Sequence, residues 1–274
     1  RLLVVAGSNQ YCGAALLALK GAMASGVGSV KASIPGVVAD SLWQVVPEVV
    51  ILDRFQESAD GHSLSRFLGS QDLSRFDALL IGPGLGHVDE NWFEAADLLR
   101  DFGGLLVLDA DALNRVASAG EGMQWLKSRN APTWITPHLV EFKRLFPSIQ
   151  CDSLLDLAIE AAQLSGACVL LKGAHSVIAD PRGRSWQLMQ TGPWTARSGL
   201  GDLLAGFVAG VGAIAAASEL GVSSEVLAAS AFVHAESARS CTEGSNSNLI
   251  AEALAALTRT LQLNDQESCF PLRK

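Results

Sequence analysis

The sequence predicts an α/β fold: a single domain with three layers, in which helices cover both faces of a doubly wound and mostly parallel sheet. Short apolar runs alternate with longer helical stretches along the 274 residues, as in successive βαβ units. Several runs are continuous Val, Ile and Leu, a pattern typical of parallel strands covered on both faces. No linker, repeat or low-complexity tract divides the chain, so one domain is expected over residues 1–274.

The first two thirds of the chain contain seven of the expected strands. They are predicted at 2–6, 29–34, 48–52, 77–82, 104–110, 132–136 and 167–173. Helices are predicted between them at 13–25, 91–102, 139–146 and 154–165. Parallel strands need crossover connections of this kind, so the order of elements favours a parallel sheet.

The pattern changes near residue 175. The segment "HSVIADPRGRSWQLM" (175–189) contains two β-type runs around a Pro/Gly turn, which predicts a hairpin at the edge of the sheet. Three helices are expected after it, at 202–217, 223–241 and 248–261, with a tail from about 262 that packs loosely. The uncharged run 203–218 is shorter than a membrane span and rich in Gly and Ala, so a buried helix is predicted there.

Composition restricts the classes of partner. The net charge is −8 and no basic cluster is present, so binding to nucleic acid is not expected. The opening "RLLVVAGSN" is typical of a short strand and not of a signal peptide, so no membrane partner is expected. The chain starts at Arg1 without a Met, which indicates a trimmed chain and allows for an upstream domain. A cytoplasmic protein with reduced thiols is predicted, because the five cysteines are scattered and form no CxxC pair.

Polar or glycine-rich segments follow five of the predicted strands. These segments are "VVAGSNQYCGA" (4–14), "IGPGLG" (81–86), "VLDADALN" (107–114), "ITPHLVEF" (135–142) and "LLKGAHS" (170–176). Ligands of open α/β sheets bind at the carboxyl ends of the strands. Because the topology would gather all five segments at one edge, we expect a ligand site there.

Each segment also has a purely structural interpretation. "GPGLG" could be a sharp turn, and Asp111 could cap a helix. His138 could bond locally at a helix start with Glu141, with Thr136 as the cap. Lys172 could be a surface lysine with a buried stem.

The segment "RSGLGDLLAGFVAG" (197–210) places Asp202 behind two glycines at the start of a helix. Unpaired N–H groups at such a terminus, approached through a glycine turn, suit the charge of a transferring phosphoryl group. Asp202 would repel a phosphate but could accept the proton of an attacking hydroxyl; the alternative is a glycine turn with a capping aspartate. Small residues are expected to pack the helix closely against its neighbours: Ala205, Gly206, Ala209 and Gly210.

Together these residues resemble the ADP/ATP-dependent NAD(P)H-hydrate dehydratases of the ribokinase-like superfamily. The resemblance runs from about residue 2 to 261 and is carried by "GSNQYCGAALLALKGAMASGVGSV", "IGPGLG", "LDADALN", "TPHLVEF", "LLKGAHSVIADPRG" and "GLGDLLAGFVAG". The TPHxxE element separates this family from sugar and vitamin kinases of the same fold. The DTxGAGD signature of those kinases is absent, since the chain has "ARSGLGD".

The resemblance implies a metabolite-repair enzyme, a hydro-lyase that returns hydrated NADH or NADPH to the usable cofactor while ADP or ATP is consumed. Asp202 would deprotonate the hydroxyl of the hydrate, and the amides of Gly199, Leu200 and Gly201 would form the anion hole. Mg²⁺ would bridge the nucleotide phosphates, with no metal ligand of the protein assigned. The nucleotide would lie against Lys172, Gly173, Ala174, His175, Ser176 and Gly201. The hydrate would lie against Ala14, Gly84, Asp109, Asn114, His138 and Asp202. The family also implies a homo-oligomer, often a tetramer, and a hydrate epimerase that is fused upstream or separate.

The chain departs from the family pattern near the site. Leu200 stands where Ser or Thr is usual, Leu139 and Val140 replace Pro and Gly, and Arg197 and Ser198 replace small residues. Two alternatives therefore stay open. A small-molecule kinase for a vitamin precursor or sugar would use the same base and anion hole, although TPHxxE favours the dehydratase. A nucleotide-binding module with decayed catalysis would fit the departures, but Asp202, Lys172 and His138 are all retained.

Overall fold

The computed structural model describes residues 1–55, 64–86, 92–120, 122–189, 197–242 and 244–269, with side chains through residue 262. Nine strands in these residues form one sheet with the order β3-β2-β1-β4-β5-β6-β7-β8-β9. The first seven are parallel, and β8 and β9 add an antiparallel hairpin at one edge. The strands are β1 Leu2–Val5, β2 Val30–Pro35, β3 Val50–Phe55, β4 Ala78–Ile81, β5 Leu105–Leu108, β6 Thr133–Ile135, β7 Cys168–Leu171, β8 Val177–Ala179 and β9 Ser185–Gln187. The doubly wound sheet and its edge hairpin are confirmed.

Eleven α-helices connect or follow the strands in the described residues. They are α1 Cys12–Ala24, α2 Gly36–Leu42, α3 Leu64–Gly69, α4 Trp92–Arg100, α5 Asp111–Ser118, α6 Gly122–Ser128, α7 Leu139–Leu145, α8 Leu154–Ser165, α9 Leu200–Ala216, α10 Ser224–Arg239 and α11 Ser247–Cys269. The seven helices predicted from the sequence correspond to α1, α4 and α7 to α11. The first residue of the helix predicted at 91–102 lies outside the described residues, and α11 continues past its predicted end at 261.

Helices cover both faces of the sheet. Successive side chains of β1 point to opposite faces, and each set packs against a different group of helices. Leu3 and Val5 belong to a core built with residues of α3 to α8. Leu2 and Val4 belong to a second core built with residues of α1, α2, α9 and α10. The three layers predicted from the continuous apolar strands are therefore confirmed.

Helices α1 and α9 make direct backbone contact. A Cβ atom on Gly206 would overlap the carbonyl oxygen of Ala18, and one on Gly21 would overlap the carbonyl oxygen of Leu203. A Cβ on Gly210 would overlap the side-chain hydroxyl of Ser25, which follows α1. The close packing expected from the small residues of α9 is confirmed.

The chain reverses its winding direction between β1 and β4, which are neighbours in the sheet. Such a switch point opens a crevice at the carboxyl ends of the two strands. The loops after β1 and β4 are joined across it by a hydrogen bond in which the Gly7 N–H donates to the Pro83 carbonyl, 2.7 Å. Among the helices that the structure describes, none combines the length and the hydropathy needed to cross a bilayer.

Candidate active site

The five segments predicted at strand ends meet at one edge of the sheet. The Asp109 N–H donates to the Ile81 carbonyl (3.1 Å), and the Thr136 N–H donates to the Leu108 carbonyl (3.1 Å). The Lys172 N–H in turn donates to the Pro137 carbonyl at 2.8 Å. These bonds continue the parallel pairing past the strands, so the loops after β4, β5, β6 and β7 lie side by side.

The start of α9 faces this edge. Gly199 precedes the helix with a φ of 85°, a left-handed conformation that favours glycine. Among the described residues, no backbone carbonyl beyond the helix accepts the N–H of Gly201 or Asp202. Two unpaired donors at a helix start are suited to hold an anion.

Leu200 stands where the family pattern has Ser or Thr, and its side chain points into the protein. Its side chain is only 5% exposed and packs with Leu203, Phe207 and residues of α10 and α11. Leu200 thus contributes to core packing at a position where the family pattern has a hydroxyl.

Asp202 lies in the first turn of α9 but does not cap it. The capping position is Gly199, and within the described part of the chain the Asp202 carboxylate makes no hydrogen bond. Burial, with the charge of Asp109 next, raises the pKa of Asp202 to about 7, although Lys172 acts in the opposite direction. The capping alternative is therefore wrong, and Asp202 has the proton affinity of a general base that works near neutral pH.

Lys172 is held inside the site and not at the surface. Its Nζ lies 2.5 Å from Oδ1 of Asp109, which also accepts a hydrogen bond from Oγ1 of Thr136 at 2.7 Å. Asp109 is 1% exposed, and a Cβ on Gly201 would lie 3.5 Å from the Lys172 ammonium. The surface-lysine alternative is wrong: the ammonium group sits beside the start of α9.

Lys172 stays charged in this environment. Burial lowers the pKa of its ammonium group, but the negative charges of Asp109 and Glu141 outweigh burial and the net pKa is raised. Burial also raises the pKa of Glu141, which is 6% exposed. Asp109, Glu141 and Asp202 thus lie around one cation. Burial first, and the negative charge of Asp109 second, raise the pKa of Asp202, which has no hydrogen-bond partner among the described residues.

Asp111 fastens a neighbouring loop. Its Oδ2 accepts the N–H of Gly86 at 2.8 Å, while Asn114 is oriented by Arg144 through a 2.9 Å bond to its Oδ1. The residue that precedes α5 is Ala110, so Asp111 is not the cap considered as an alternative. Asp111 holds the glycine loop after β4, and Asn114 lies on the next turn of the same helix.

Ala110 has a φ of 47°, the one positive φ outside glycine among the described residues. Such a conformation costs on the order of 1–3 kcal/mol and is concentrated at functional sites. Here the bend sends the carboxylate of Asp109 to Lys172 and that of Asp111 to the loop after β4.

His138 and Glu141 form a capping box at the start of α7. Nδ1 of His138 accepts the N–H groups of Val140 and Glu141 at 3.1 and 3.2 Å, and Oε2 of Glu141 accepts the His138 N–H at 2.8 Å. The local interpretation of this pair is confirmed, with His138 and not Thr136 as the cap. Leu139 and Val140 lie in the first turn, 39% and 53% exposed, so the helix starts here without Pro and Gly.

Ala14 and Gly84, both predicted for the hydrate site, are in contact. Gly84 has a φ of 63°, and a Cβ on it would lie 2.6 Å from the Cβ of Ala14. Their contact brings the start of α1 against the loop after β4, at the crevice of the switch point.

The predicted nucleotide residues border a cavity of about 140 Å³. Lys172, Gly173, Ser176 and Gly201 line it, and the turn is closed by Ser176, whose Oγ accepts the Gly173 N–H at 3.2 Å. Ala174 and His175 are exposed in this turn and do not line the cavity. The remaining wall comes from Leu170, Leu188, Leu200, Leu204, Ala231, His234, Ala235 and Ala238.

The contribution of α10 to this wall could not be foreseen from the sequence. "AASAFVHAESAR" contains a single histidine among small residues, a pattern that is typical of helix packing. Thr136 was considered only as a cap, and its bond to Asp109 depends on the register of β5 and β6.

A dedicated metal cage is not built here: in the part of the chain that the structure describes, no three His, Cys, Asp or Glu side chains are grouped to hold an ion. Mg²⁺ commonly binds substrate phosphates and water with only one or two carboxylates. The free carboxylate of Asp202 beside the helix start is compatible with an ion of that kind.

Comparison with known proteins identifies the family of the chain. A family model described as NAD(P)H-hydrate dehydratase matches residues 2–260. A bifunctional NAD(P)H-hydrate repair enzyme Nnr from Synechocystis is 41% identical over 213 residues, 77% of this chain and 39% of the relative. The Nnr enzyme of Thermofilum pendens is 37% identical over 242 residues, 85% of this chain and 44% of the relative. The chain thus spans about two fifths of the length of these curated relatives.

Solved structures share the fold. An ADP/ATP-dependent NAD(P)H-hydrate dehydratase from Bacillus subtilis, co-crystallized with ATP/Mg²⁺ and soaked with CoA, matches with a TM-score of 0.76 and 23% identity over 94% of this chain and 91% of that one. A ribokinase-like superfamily protein from Enterococcus faecalis matches with a TM-score of 0.75 and 21% identity over 95% and 87%. The ribokinase-like fold expected from the sequence is confirmed.

Proposed function

The chain belongs to the NAD(P)H-hydrate dehydratase family, and from that premise we propose that it returns hydrated NADH or NADPH to the reduced cofactor while consuming ADP or ATP. The observation that carries the proposal is Asp202, a carboxylate with a pKa raised to about 7, without a capping bond, at a helix start with unpaired N–H groups.

In the first step, Asp202 accepts the proton of the hydrate's hydroxyl group. The oxygen attacks the terminal phosphorus of the nucleotide, a P–O bond forms, and the bond to the bridging oxygen breaks. We assign stabilisation of the charge on the phosphoryl oxygens to the N–H groups of Gly199, Leu200 and Gly201. The Leu200 N–H donates to the Arg197 carbonyl at 3.4 Å, and it would exchange this long bond for one to the phosphoryl group. The product is the phosphorylated hydrate and a nucleotide shortened by one phosphate.

In the second step, phosphate leaves with the electrons of the C–O bond, and the adjacent ring carbon loses a proton. The ring double bond is thereby restored. The sum is one hydrate and one ADP or ATP converted to NADH or NADPH, inorganic phosphate, the shortened nucleotide and a proton.

We assign the nucleotide to the cavity and turn after β7, with contacts from Lys172, Gly173, Ala174, His175, Ser176 and Gly201. Lys172 supplies a positive charge whose position is set by Asp109 and Thr136. The Bacillus subtilis dehydratase named above was crystallized with ATP/Mg²⁺, and we propose that Mg²⁺ enters here with the nucleotide phosphates and offsets their charge.

We assign the hydrate to the crevice between the loops after β1 and β4. Its proposed contacts are Ala14, Gly84, Asp109, Asn114, His138 and Asp202. The contact of Ala14 with Gly84 and the half-exposed ring of His138 support this placement.

Further partners follow from the family. We propose a homo-oligomer, for which a tetramer is the expected form, and cooperation with a hydrate epimerase that is either fused upstream or separate. The curated relatives are named bifunctional repair enzymes, which supports the second expectation. A cytoplasmic location is proposed from the scattered cysteines and the reduced cofactors that the reaction repairs.

The first experiment measures recovery of reduced-nicotinamide absorbance from NADH hydrate and NADPH hydrate, with Mg²⁺ and either ADP or ATP. Asp202→Asn is the control, since it keeps the shape of the side chain and removes the base. We expect recovery that requires nucleotide, falls by about 10²–10⁴-fold in the variant, and declines below about pH 7 as Asp202 becomes protonated.

Recovery without nucleotide, or with Asp202→Asn at the wild-type rate, would contradict the proposal. Bound nucleotide without recovery would instead favour a kinase of the same fold, and a screen of hydroxyl acceptors for phosphorylated products would follow.

A further inference from the structure

The glycine turn before α9 is packed between α1 and α11. A Cβ atom on Gly199 would overlap Cδ1 of Leu17 from α1, and it would lie 3.4 Å from Oγ of Ser247, the first residue of α11. Side chains of two helices therefore lie directly against the backbone of the turn. Leucine can only fill space there, whereas the hydroxyl group of Ser247 can also form a hydrogen bond.

Ser247 forms such a bond with the backbone of the turn. Its Oγ donates to the carbonyl oxygen of Ser198 at 2.8 Å. That carbonyl belongs to the same peptide unit as the N–H of Gly199. A trans peptide unit is planar, with its C=O and N–H bonds on opposite sides. The bond from Ser247 therefore sets the direction of the Gly199 N–H, which points away from α11.

The N–H of Gly199 is available to a ligand. In the described part of the chain, no carbonyl accepts it. Gly199 precedes α9 and has a φ of 85°, so the helical geometry that directs the N–H groups of Gly201 and Asp202 does not extend to it. The orientation of this donor depends instead on what holds its peptide unit.

The start of α11 is itself held in place. Oδ1 of Asn246 accepts the N–H of Asn248 at 3.0 Å, which caps the helix, and Oδ1 of Asn248 accepts a hydrogen bond from Nζ of Lys20 in α1 at 2.8 Å. Ile250, less than one turn later, is buried in a core that also contains residues of α9. Ser247 thus reaches the glycine turn from a fixed position.

We propose that Ser247 is a positioning residue for phosphoryl transfer: it holds the Ser198 carbonyl and thereby directs the Gly199 N–H to the oxygens of the transferring phosphoryl group. The inference rests on the proposed function, because it requires the anion hole at the start of α9. Donors that are oriented in advance need no reorganisation when charge develops in the transition state. Without the hydroxyl group of Ser247, the peptide unit can rotate and the donor must be reoriented in every cycle.

The first test separates turnover from nucleotide binding, with recovery of absorbance from NADH hydrate as the readout. Ser247→Ala should lower kcat by about tenfold, less than the loss of a whole donor, and should leave the KM of the nucleotide within about twofold. Ser247→Thr keeps the hydroxyl group and should retain about half of kcat or more. Thr258→Ala is the control, because its hydroxyl group donates to the Leu254 carbonyl within α11 and it should behave as the wild type. Alanine favours helices, so the variants in α11 should fold.

The second test needs no hydrate. Aluminium fluoride bound with ADP or AMP imitates the transferring phosphoryl group, and titration calorimetry with Mg²⁺ measures the affinity for each nucleotide with and without fluoride. Ser247→Ala should weaken the fluoride complex by about tenfold, because the lost orientation acts on the transition state. Its affinity for the nucleotide alone should stay within about twofold of the wild type.

An unchanged kcat in Ser247→Ala, equal impairment of Ser247→Ala and Ser247→Thr, or an equal loss of affinity with and without fluoride would overturn the inference and leave the proposed dehydratase standing. A fluoride complex that is weakened by Ser247→Ala, in a protein that never restores absorbance from hydrate, would support the inference and refute the dehydratase. A wild type that binds neither nucleotide nor fluoride complex would overturn both.

Discussion

Asp109 and Asp202 have different partners although they share one cation. Asp109 is bonded to Lys172 and Thr136, whereas Asp202 makes no hydrogen bond within the described part of the chain. The paired carboxylate keeps Lys172 in place, and the unpaired one has the raised pKa that base catalysis needs.

The bond between Asp109 and Lys172 predicts strong coupling of the two residues. Lys172→Met leaves a carboxylate buried without its cation, which typically costs about 3–5 kcal/mol. Asp109→Asn together with Lys172→Met removes both charges, so the double variant should lose less stability than the two single losses added, by at least about 1 kcal/mol. Urea unfolding of the four proteins measures this difference. Additive losses would show that the two side chains act independently.

The raised pKa of Asp202 predicts that its charge reduces stability. The pKa is about 7 in the folded protein against 3.8 in the unfolded chain, so folding binds a proton between these values. The stabilising contribution is present in full below pH 3.8 and is lost as pH rises through about 7. Asp202→Asn should therefore be more stable than the wild type near pH 8, by at least about 1 kcal/mol after allowance for partial exposure.

Thermal unfolding of both proteins from about pH 5 to pH 8 checks this expectation. The advantage of the asparagine variant should increase across the range. An advantage that is constant or reversed would mean that the carboxylate has a partner in solution.

Sequence patterns located the charged residues of the site but not all of their bonds. Asp202 and Lys172 stand next to glycines at predicted turns, and such patterns are visible in a single chain. The bond from Thr136 to Asp109 depends on how β5 and β6 align, and the position of His234 depends on how α10 packs. Contacts of that kind arise from tertiary structure and leave no local pattern.

At the level of elements, long amphipathic or buried helices were predictable, whereas most of the short helices were not; α7, with seven residues, is the exception. The helices α8, α9 and α10 span 12, 17 and 16 residues and have clear starts. The missed helices α2, α3, α5 and α6 have six to eight residues each, too few to show a helical period. They are stabilised by tertiary packing and not by their own propensity.

The backbone contact between α1 and α9 predicts opposite effects for two glycine substitutions. Gly206→Ala forces a methyl group against the Ala18 carbonyl and should cost about 1–3 kcal/mol. Gly13→Ala lies in α1 with no atom within 4 Å of the added methyl group, so it should stabilise the protein by up to about 1 kcal/mol. Denaturant unfolding of the two variants gives both signs, and equal effects would contradict the contact.

At the scale of the whole molecule, two cavities lie at opposite ends of the strands. The smaller one, about 140 Å³, adjoins the carboxyl end of β7 and the start of α9. The larger one, about 620 Å³, is lined by residues just before β4, β5 and β6, among them Asp77, Gly104 and Pro132. In open α/β sheets the carboxyl ends carry the ligands, so size alone does not identify the site.

This arrangement predicts where ATP with Mg²⁺ protects the backbone from hydrogen exchange. Protection should appear in 172–176, 199–204 and 231–238, the segments that border the smaller cavity, and be absent from 101–105, which borders the larger one. At a concentration of 100 times Kd, ATP should also add about 2.7 kcal/mol of stability. Hydrogen exchange measured by mass spectrometry reports on both cavities in one experiment. Protection confined to 101–105 would indicate that the nucleotide binds in the larger cavity.

Contact between the backbones of α1 and α9 also fixes how far apart the two proposed ligands lie. Ala14 stands near the start of α1 and Gly201 near the start of α9, and at Gly21 and Gly206 no side chain separates the two helices. A change of side-chain rotamer cannot alter the distance between the starts of α1 and α9. This distance therefore sets how long a substrate must be to contact both helices. A short alcohol that lacks the far half of a dinucleotide makes no contact with the proposed hydrate residues at the start of α1. It therefore gains no binding energy there, and its hydroxyl group is not positioned at Asp202. Under the proposed function, the main chain would then provide the discrimination between a large hydrate and small hydroxyl compounds, and single side-chain mutations would change it little.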